Sequence, residues 1–170
     1  IVFTEADFAE GGEFYNDGQG WEPIGGNGST TFTGVFDGDE HTITGLYCNR
    51  SGNGAQYAGL FGNNKGVIHN IGIVNGIISV DVNSRGSMPC AGGVVGINNG
   101  TIYNCYNKES IVISSGQDEY RSGNCGGIVG RNERYGIVDS CYNIGNVTSD
   151  YGGGNAGGIT GSNCGKINNC

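Results

Sequence analysis

The stretch that decides the fold is residues 59–70, which read GLFGNNKGVIHN. It joins a short apolar run, an Asn-rich turn closed by Gly, two more apolar residues and a final Asn. Similar stretches begin at residues 34, 93, 127 and 158, so five copies start 25, 34, 34 and 31 residues apart. An internal period of this length is typical of stacked-repeat proteins, because one copy cannot bury its own apolar face.

The apolar residues of the copies align in columns. One column holds Ile43, Ile68, Ile102, Val138 and Ile167, and three residues further on lie Leu46, Ile71, Cys105, Cys141 and Cys170. These segments are short and β-branched, are separated by Gly and Asn, and lack the apolar spacing of a helix. The pattern predicts an all-β fold in which each copy supplies about three short strands, paired in parallel with copies ~4.8 Å above and below. Such a fold is a β-solenoid.

A third column predicts a corner between the two apolar ones. It consists of Gly45, Asn70, Asn104, Ser140 and Asn169. Residues three apart in a straight strand point to opposite faces, so both apolar columns face inward only if the chain turns between them. Gly and Asn tolerate the left-handed conformation that such a turn uses. We expect stacked Asn side chains to bond from coil to coil, and a looser corner at Ser140.

The second and third residues of the copies are both apolar. The second residues are Val35, Leu60, Val94, Ile128 and Ile159, and the third are Phe36, Phe61, Val95, Val129 and Thr160. Because adjacent strand residues face opposite ways, one of these two columns is expected to point outward, where it either lies under a neighbouring loop or forms an exposed apolar stripe.

The N-terminal residues 1–33 are the least repetitive part of the chain. They are predicted to form an irregular coil that caps the open end of the stack, with Phe14 and Trp21 covering the core. Sugar stacking by an exposed Trp21 is the alternative. Residues 34–170 then hold the five copies, the last of them cut short, and we expect the chain to be a segment of a longer protein. The copies differ mainly by longer polar stretches at 83–89 and 116–123, which are either loops of a binding face or tolerated drift in length.

Composition and charge exclude several classes of protein. Gly accounts for 36 of 170 residues, but two prolines and no Gly-X-Y period exclude collagen. The formal charge of −8 argues against nucleic acid and anionic membranes as partners. No apolar run approaches the ~20 residues that span a bilayer.

The seven cysteines show no zinc-ribbon spacing, because no CxxC pair occurs. Cys105, Cys141 and Cys170 are predicted to fill the core as small apolar residues. Cys90 and Cys125 precede equivalent strands with an offset of one residue, which makes them the candidates for a disulfide; reduced thiols are the alternative.

Candidate catalytic and metal-binding residues are few. Asp37, Asp39 and Glu40 form an acidic turn that could attract Ca²⁺, although it lacks a complete ligand pattern and a solvated turn is the simpler interpretation. A polysaccharide-cleaving β-helix would need acids clustered on adjacent coils, but no column holds two acids, and only Asp118, Glu119 and Glu133 could converge from loops. The sequence therefore predicts no catalytic residue, no metal and no cofactor.

Three stretches carry a resemblance to a known family. GLFGNNKGVIHNI, AGGVVGINNGTIYNCYN and CGGIVGRNERYGIVDSCYN resemble the GLUG repeats of bacterial surface proteins, which also occur in IgA-cleaving metallopeptidases of Gram-positive bacteria. The block from WEPIGG to GLYCN is similar to the segment that leads into such repeats. The resemblance implies a right-handed parallel β-helix in an exported, surface-attached protein. It implies no catalytic residues, and the chain has no HExxH zinc motif.

The sequence as a whole predicts a β-helix of about five to six coils that acts as a non-catalytic stalk or adhesin outside the cell. A carbohydrate-active β-helix or a glycan-binding module is the alternative. The expected partner is a host or matrix protein or a glycan, and the chain is expected to be monomeric. The candidate ligand-binding residues are Trp21, Tyr103, Tyr106, Tyr120 and Tyr142.

Overall fold

The computed structural model describes residues 1–26, 30–52, 56–82, 88–116, 123–150 and 154–170. Most of the two longer polar stretches expected at 83–89 and 116–123, and with them Tyr120, Asp118 and Glu119, lie outside the described residues. Short strands make up nearly all of the regular secondary structure in the described part, as the short β-branched segments predict.

A short helix, α1 (Glu5–Phe8), and a single 3-10 turn (Asn16–Gly18) precede the strands. The strands are β1 (Val35–Thr44), β2 (Tyr47–Gly52), β3 (Tyr57–Ala58), β4 (Phe61–Asn64), β5 (Val67–Val74), β6 (Ile77–Val82), β7 (Cys90–Gly92), β8 (Val95–Asn98), β9 (Thr101–Tyr103), β10 (Tyr106–Lys108), β11 (Ile111–Gly116), β12 (Asn124–Gly126), β13 (Val129–Asn132), β14 (Ile137–Asp139), β15 (Tyr142–Asn143), β16 (Asn146–Ser149), β17 (Asn155–Gly157), β18 (Thr160–Asn163) and β19 (Lys166–Asn168).

These strands stack in four parallel sheets, which confirms the predicted β-solenoid. Three sheets contain four strands each, in the orders β2-β6-β11-β16, β3-β7-β12-β17 and β4-β8-β13-β18. The fourth contains β1, β5, β9, β10, β14, β15 and β19. Three complete turns therefore separate the first strand of a four-stranded sheet from its last. The expected five to six coils are too many, because the N-terminal residues mainly cap the stack and the copy from Gly158 adds only β18 and β19.

The register of the later copies follows the repeat, whereas the first copy departs from it. Ile68, Ile102, Val138 and Ile167 are successive partners, as aligned from the sequence. In β1, however, Phe36 pairs with Ile68, and Ile43 pairs with Ile73. The alignment of Ile43 with Ile68 is therefore corrected. Its cause is an irregularity between Asp37 and His41, which inserts residues that β5 lacks.

A left-handed residue turns the chain at the predicted corner in the copies from Gly59 onward. The φ angles are +56° at Asn70, +51° at Asn104, +51° at Ser140 and +50° at Asn169. As a result Ile68 and Ile71, three residues apart, are both buried, with 0% and 3% of their surface exposed. Ile102 with Cys105 and Val138 with Cys141 repeat this arrangement in the next two coils.

Gly45 is also left-handed, with φ of +74°, but it follows Thr44, the partner of Val74, and therefore lies at the next corner, level with Asn75. The alignments of Gly45 with Asn70 and of Leu46 with Ile71 are corrected for the same reason as that of Ile43.

In the three middle copies both apolar residues at the start of the copy belong to the core, so the expected outward column is wrong there, whereas Val35 of the first copy is 71% exposed. Leu60 and Phe61 are buried, as are Val94 with Val95 and Ile128 with Val129. The chain bends at residues 59–60, 93–94 and 127–128, just before β4, β8 and β13. Because these pairs straddle a bend, the alternation of a straight strand does not apply to them.

An aromatic cluster closes the N-terminal end of the stack. The rings of Phe3 and Phe8 lie 5.2 Å apart, and those of Phe14 and Trp21 lie 5.8 Å apart. Trp21 packs against the core, and its Nε1 donates to the Leu60 carbonyl over 3.0 Å. The indole therefore covers the first coil with its polar atom satisfied.

Candidate functional site

Two pairs of aromatic side chains lie on the outside of the solenoid, one pair on each side of the asparagine corner. His69 and Tyr103 are register partners on β5 and β9, and their rings stack 4.5 Å apart with planes 4° from parallel. Beyond the corner, Tyr106 and Tyr142 are partners on β10 and β15, and their rings stack 5.1 Å apart, also at 4°. We call His69, Tyr103, Tyr106 and Tyr142 the aromatic corner.

The backbone positions these rings in fixed stacks. Tyr106 lies flat on Gly72 of the coil before it, where a Cβ would collide with the phenol ring. Tyr142 lies on Tyr106 and keeps 49% of its surface exposed. Parallel strands one coil apart place identical side chains at the spacing that stacked rings prefer. The stacks therefore present ring edges and hydroxyl groups, and the outer face of Tyr142, to solvent.

Side-chain amides line the edge between the two aromatic stacks. Asn104 Nδ2 donates to Asn70 Oδ1 over 3.3 Å, and Asn70 Nδ2 donates to Asp37 Oδ1 over 3.0 Å. In the last described coil, Asn169 Nδ2 donates to Asp139 Oδ1 over 3.2 Å. The corner thus carries both hydrogen-bond donors and acceptors along the stack.

Two carboxylates lie at the ends of this surface and stay charged. The backbone N–H of Asp39 lowers the pKa of Asp37, with further contributions from Asn70 and from the nearby His69. The Ser140 hydroxyl and then Asn169 lower the pKa of Asp139. Aromatic edges, neutral amides and fixed acceptors are the groups that bind hydroxyl-rich or polar ligands, and none of them is activated as a nucleophile.

Two of the predicted ligand residues do not join this surface. Trp21 packs in the N-terminal aromatic cluster, and Tyr120 is outside the described residues. His69, in contrast, belongs to the surface and was not among the candidates. Its signal in the sequence was its place beside Asn70, which matches the place of Tyr103 beside Asn104.

A buried ladder of asparagines also escaped the sequence-based prediction. Nδ2 of Asn64 donates to Oδ1 of Asn98 over 2.8 Å, Asn98 donates likewise to Asn132 over 2.9 Å, and Asn132 donates to Asn163 over 2.8 Å. Asn64, Asn98 and Asn132 are fully buried. The signal was present, since Asn occupies the sixth position of each copy from Gly59 onward. This ladder stabilises the turn that precedes the aromatic corner.

The cysteines are free thiols, and the candidate disulfide is not formed. Cys90 pairs with Asn124, so Cys125 lies beside Ala91 and the one-residue offset keeps the two cysteines out of register. Burial raises the pKa of Cys48 and of Cys90 to about 12 and that of Cys125 to about 11. These three thiols are therefore protonated at neutral pH and are not nucleophiles.

The described residues contain no group of three His, Cys, Asp or Glu side chains arranged to hold a metal ion. At the calcium candidate, Asp39 and Glu40 are both left-handed, with φ of +48° and +59°. The Asp37 carboxylate accepts a hydrogen bond from the Asp39 backbone N–H. Glu133, a candidate acid, pairs with Arg131 over 3.0 Å. Within the described ranges, no helix is long and apolar enough to cross a membrane.

Comparison with known proteins confirms the resemblance to GLUG repeats. The GLUG motif matches residues 89–112, which run from just before β7 into β11. The chain is 38% identical over 94 residues to halomucin of Haloquadratum walsbyi, a match that covers 53% of this chain and 1% of halomucin. It is 36% identical over 89 residues to a "Putative Gly-rich membrane protein" of Evansella cellulosilytica, with 51% of this chain and 10% of that protein covered.

A solved structure shares the fold. The crystal structure of a "putative immunoglobulin A1 protease" from Bacteroides ovatus superposes with a TM-score of 0.55 over 86% of this chain and 52% of that one, at 24% identity. At this identity the likeness concerns the fold alone. The chain thus spans only small parts of the two longer relatives and about half of the structural neighbour.

Proposed function

We propose that this chain is a non-catalytic repeat module of a larger cell-surface protein, and that it holds a polar ligand, such as a glycan, on its aromatic corner. The GLUG motif and the similarity to a protein named as a membrane protein support the location. The observation that carries the binding role is the aromatic corner itself, where two pairs of stacked rings flank a row of amides.

The mechanism follows from rigidity. Each ring is held by the ring or backbone one coil away, so the surface loses little side-chain entropy when a ligand binds. Sugars bind proteins through aromatic side chains together with amides and carboxylates that accept their hydroxyl protons. The charged Asp37 and Asp139 would repel acidic polysaccharides, so the proposed ligand is neutral.

The alternative of a carbohydrate-active enzyme lacks a supporting observation among the described residues. Cleavage of a glycosidic bond uses two carboxyl groups on opposite sides of the bond, one of them able to give a proton. The two carboxyl groups on the aromatic corner have lowered pKa values, which opposes the role of a general acid near neutral pH.

The test is binding of the purified chain to arrays of glycans and of matrix proteins, followed by titration with the best ligand. Tyr142→Ala is expected to weaken binding about tenfold, which corresponds to ~1.4 kcal/mol. Tyr135→Ala is the matched control, because Tyr135 is 75% exposed and lies in the turn before β14, away from the aromatic corner. No ligand on either array, or equal losses in both variants, would leave only a spacer role.

A further inference from the structure

An open cleft lies at the first coil, between the N-terminal cap and the corner at which β1 is followed by β2 and β5 by β6. Its volume is about 640 Å³. Phe3, Phe8 and Ala9 line it on the cap side, and Leu46, Tyr47 and Ile77 line it on the solenoid side. We call it the cap cleft. Neither the aromatic corner nor the repeat pattern accounts for it.

Contacts within the protein hold the walls of the cap cleft in place. The Thr4 backbone N–H and hydroxyl donate to the Asp7 carboxylate over 2.7 and 2.8 Å, which fixes the start of α1. The rings of Phe8 and Tyr47 lie 5.7 Å apart and connect the cap to β2. A cleft with fixed apolar walls binds with little cost of ordering.

The floor of the cleft exposes apolar surface to water. Ile77 begins β6 with 47% of its surface exposed and lines the cleft. Ile111, its register partner on β11, is 40% exposed but does not line the cleft. A single exposed apolar side chain such as Ile111 is ordinary on a protein surface, whereas Ile77 forms part of a concave apolar site.

The N-terminal part of the chain, which forms the cap side of the cleft, is acidic. Residues 1–49 hold nine of the sixteen Asp and Glu residues and none of the eight Lys and Arg residues. Glu5 lines the cleft, and the exposed Glu10 and Asp17 are chain neighbours of the lining residues Ala9 and Gly18. The first basic side chain, Arg50, is buried and already paired with Glu22 over 3.0 Å. An apolar floor with an acidic rim is complementary to an apolar group flanked by cations.

We propose that the cap cleft binds a basic segment of a partner polypeptide, in which one or two large apolar side chains enter the cleft and flanking Lys or Arg side chains meet the acidic rim. The volume is of the size that holds small ligands or a few side chains, ~300–1,000 Å³. Opposite charges across the rim would speed association and reject acidic partners. This surface and its partner are independent of the ligand proposed for the aromatic corner.

The experiment is a titration of the isotopically labelled chain, followed by amide NMR, with a capped peptide in which Phe and Leu are flanked on each side by two lysines. We expect the amide signals of Ala9, Tyr47 and Ile77 to shift. A peptide with glutamates in place of the lysines, and one with serines in place of Phe and Leu, should bind at least about tenfold more weakly.

Matched variants locate the site. Ile77→Ser should weaken binding about fivefold or more, because part of the apolar floor is lost, while Ile111→Ser should leave it within about twofold. Glu5→Gln should lower both the affinity for the peptide and the dependence of that affinity on salt. Glu13→Gln, at a residue that does not line the cleft, should change both quantities less. All four side chains are exposed, so we expect folding to be preserved, and the same spectra check it. Shifts confined to other surfaces, equal binding of the glutamate peptide, or equal effects of the two Ile variants would overturn the proposal.

Discussion

Single asparagines perform two unlike tasks in this protein. Asn70, Asn104 and Asn169 supply a left-handed backbone at the corner and remain at the surface, whereas Asn64, Asn98 and Asn132 are buried and bond across coils. The first task depends on the backbone and the second on the side-chain amide. Substitutions should therefore separate them.

At the corner, Asn104→Ala and Asn104→Gly should differ in stability. Both variants lose the bond from Asn104 to Asn70, but only Ala must adopt φ near +51° with a Cβ. The left-handed conformation costs ~1–2 kcal/mol for residues other than Gly and Asn. We expect the Gly variant to unfold at higher urea concentration, by ~1 kcal/mol in free energy. An Ala variant as stable as the Gly variant would show that the corner is not left-handed.

Asp139 should make the folded state sensitive to acid. Hydrogen bonds from Ser140 and Asn169 lower the pKa of its carboxyl below the ordinary value of 3.8. A lowered folded-state pKa means that its stabilising contribution is complete above the unfolded pKa and is lost as the pH falls through the folded one. Carbon-detected NMR titration should place the Asp139 midpoint below that of an unstructured peptide. In Ser140→Ala the midpoint should rise, and an unchanged midpoint would contradict the assignment.

Among the strands, the buried asparagine ladder joins successive turns before β5, β9, β14 and β19. Each inner member both donates to the next coil and accepts from the previous one, and Asn98 Oδ1 also accepts from the Gly100 N–H over 3.1 Å. Removing such a side chain leaves buried partners without bonds, which costs ~1–3 kcal/mol for each group. Each inner asparagine of the ladder therefore satisfies the hydrogen bonds of its neighbours in the adjacent coils.

Asn98→Ala should therefore destabilise the protein by roughly 3 kcal/mol in chemical denaturation, since it orphans groups on both sides. Asn163→Ala is the matched control, because Asn163 is exposed at the end of the same ladder and should cost less than ~1 kcal/mol. Equal losses from the two substitutions would mean that the ladder does not bond through the interior.

Elements that recur at a constant spacing were predictable from the sequence, and the others were not. Ile68, Ile102 and Val138 revealed the stacked strands, and the repeated Cys-Tyr-Asn revealed that Tyr106 and Tyr142 share a column. The register of β1 could not be read, because its extra residues at Asp39 and Glu40 have no counterpart in the other copies. The stack of His69 on Tyr103 joins unlike residues, and the cap depends on contacts between residues far apart, such as Phe8 and Tyr47.

The interior of the whole molecule excludes reagents as well as water. Cys48, Cys90, Cys105, Cys125 and Cys141 are buried, and Cys164 and Cys170 are exposed. Burial also keeps the thiols of Cys48, Cys90 and Cys125 protonated, because it raises their pKa. These three thiols should therefore react slowly with a modifying reagent, because the sulfur atoms are inaccessible and because little thiolate is present.

A thiol count in native and denatured protein tests this packing. At pH 8, with a reductant removed beforehand, two of the seven thiols should react rapidly with a disulfide reagent, and all seven should react in denaturant. Cys164→Ser should lower the rapid count by one. Fewer than seven in denaturant would reveal a disulfide, and more than two in the native state would reveal a looser interior.

The central claim is that each coil pairs in parallel with the coil one period earlier, since this pairing creates the aromatic stacks, the ladders and the corner. NMR couplings across hydrogen bonds measure it directly. We predict couplings from the amide nitrogens of Val67, Thr101, Ile137 and Lys166 to the carbonyls of Gly34, Gly66, Gly100 and Gly136, each over a hydrogen bond of 2.9 Å. Couplings from these amides to carbonyls of their own copy, as in antiparallel hairpins, would contradict it.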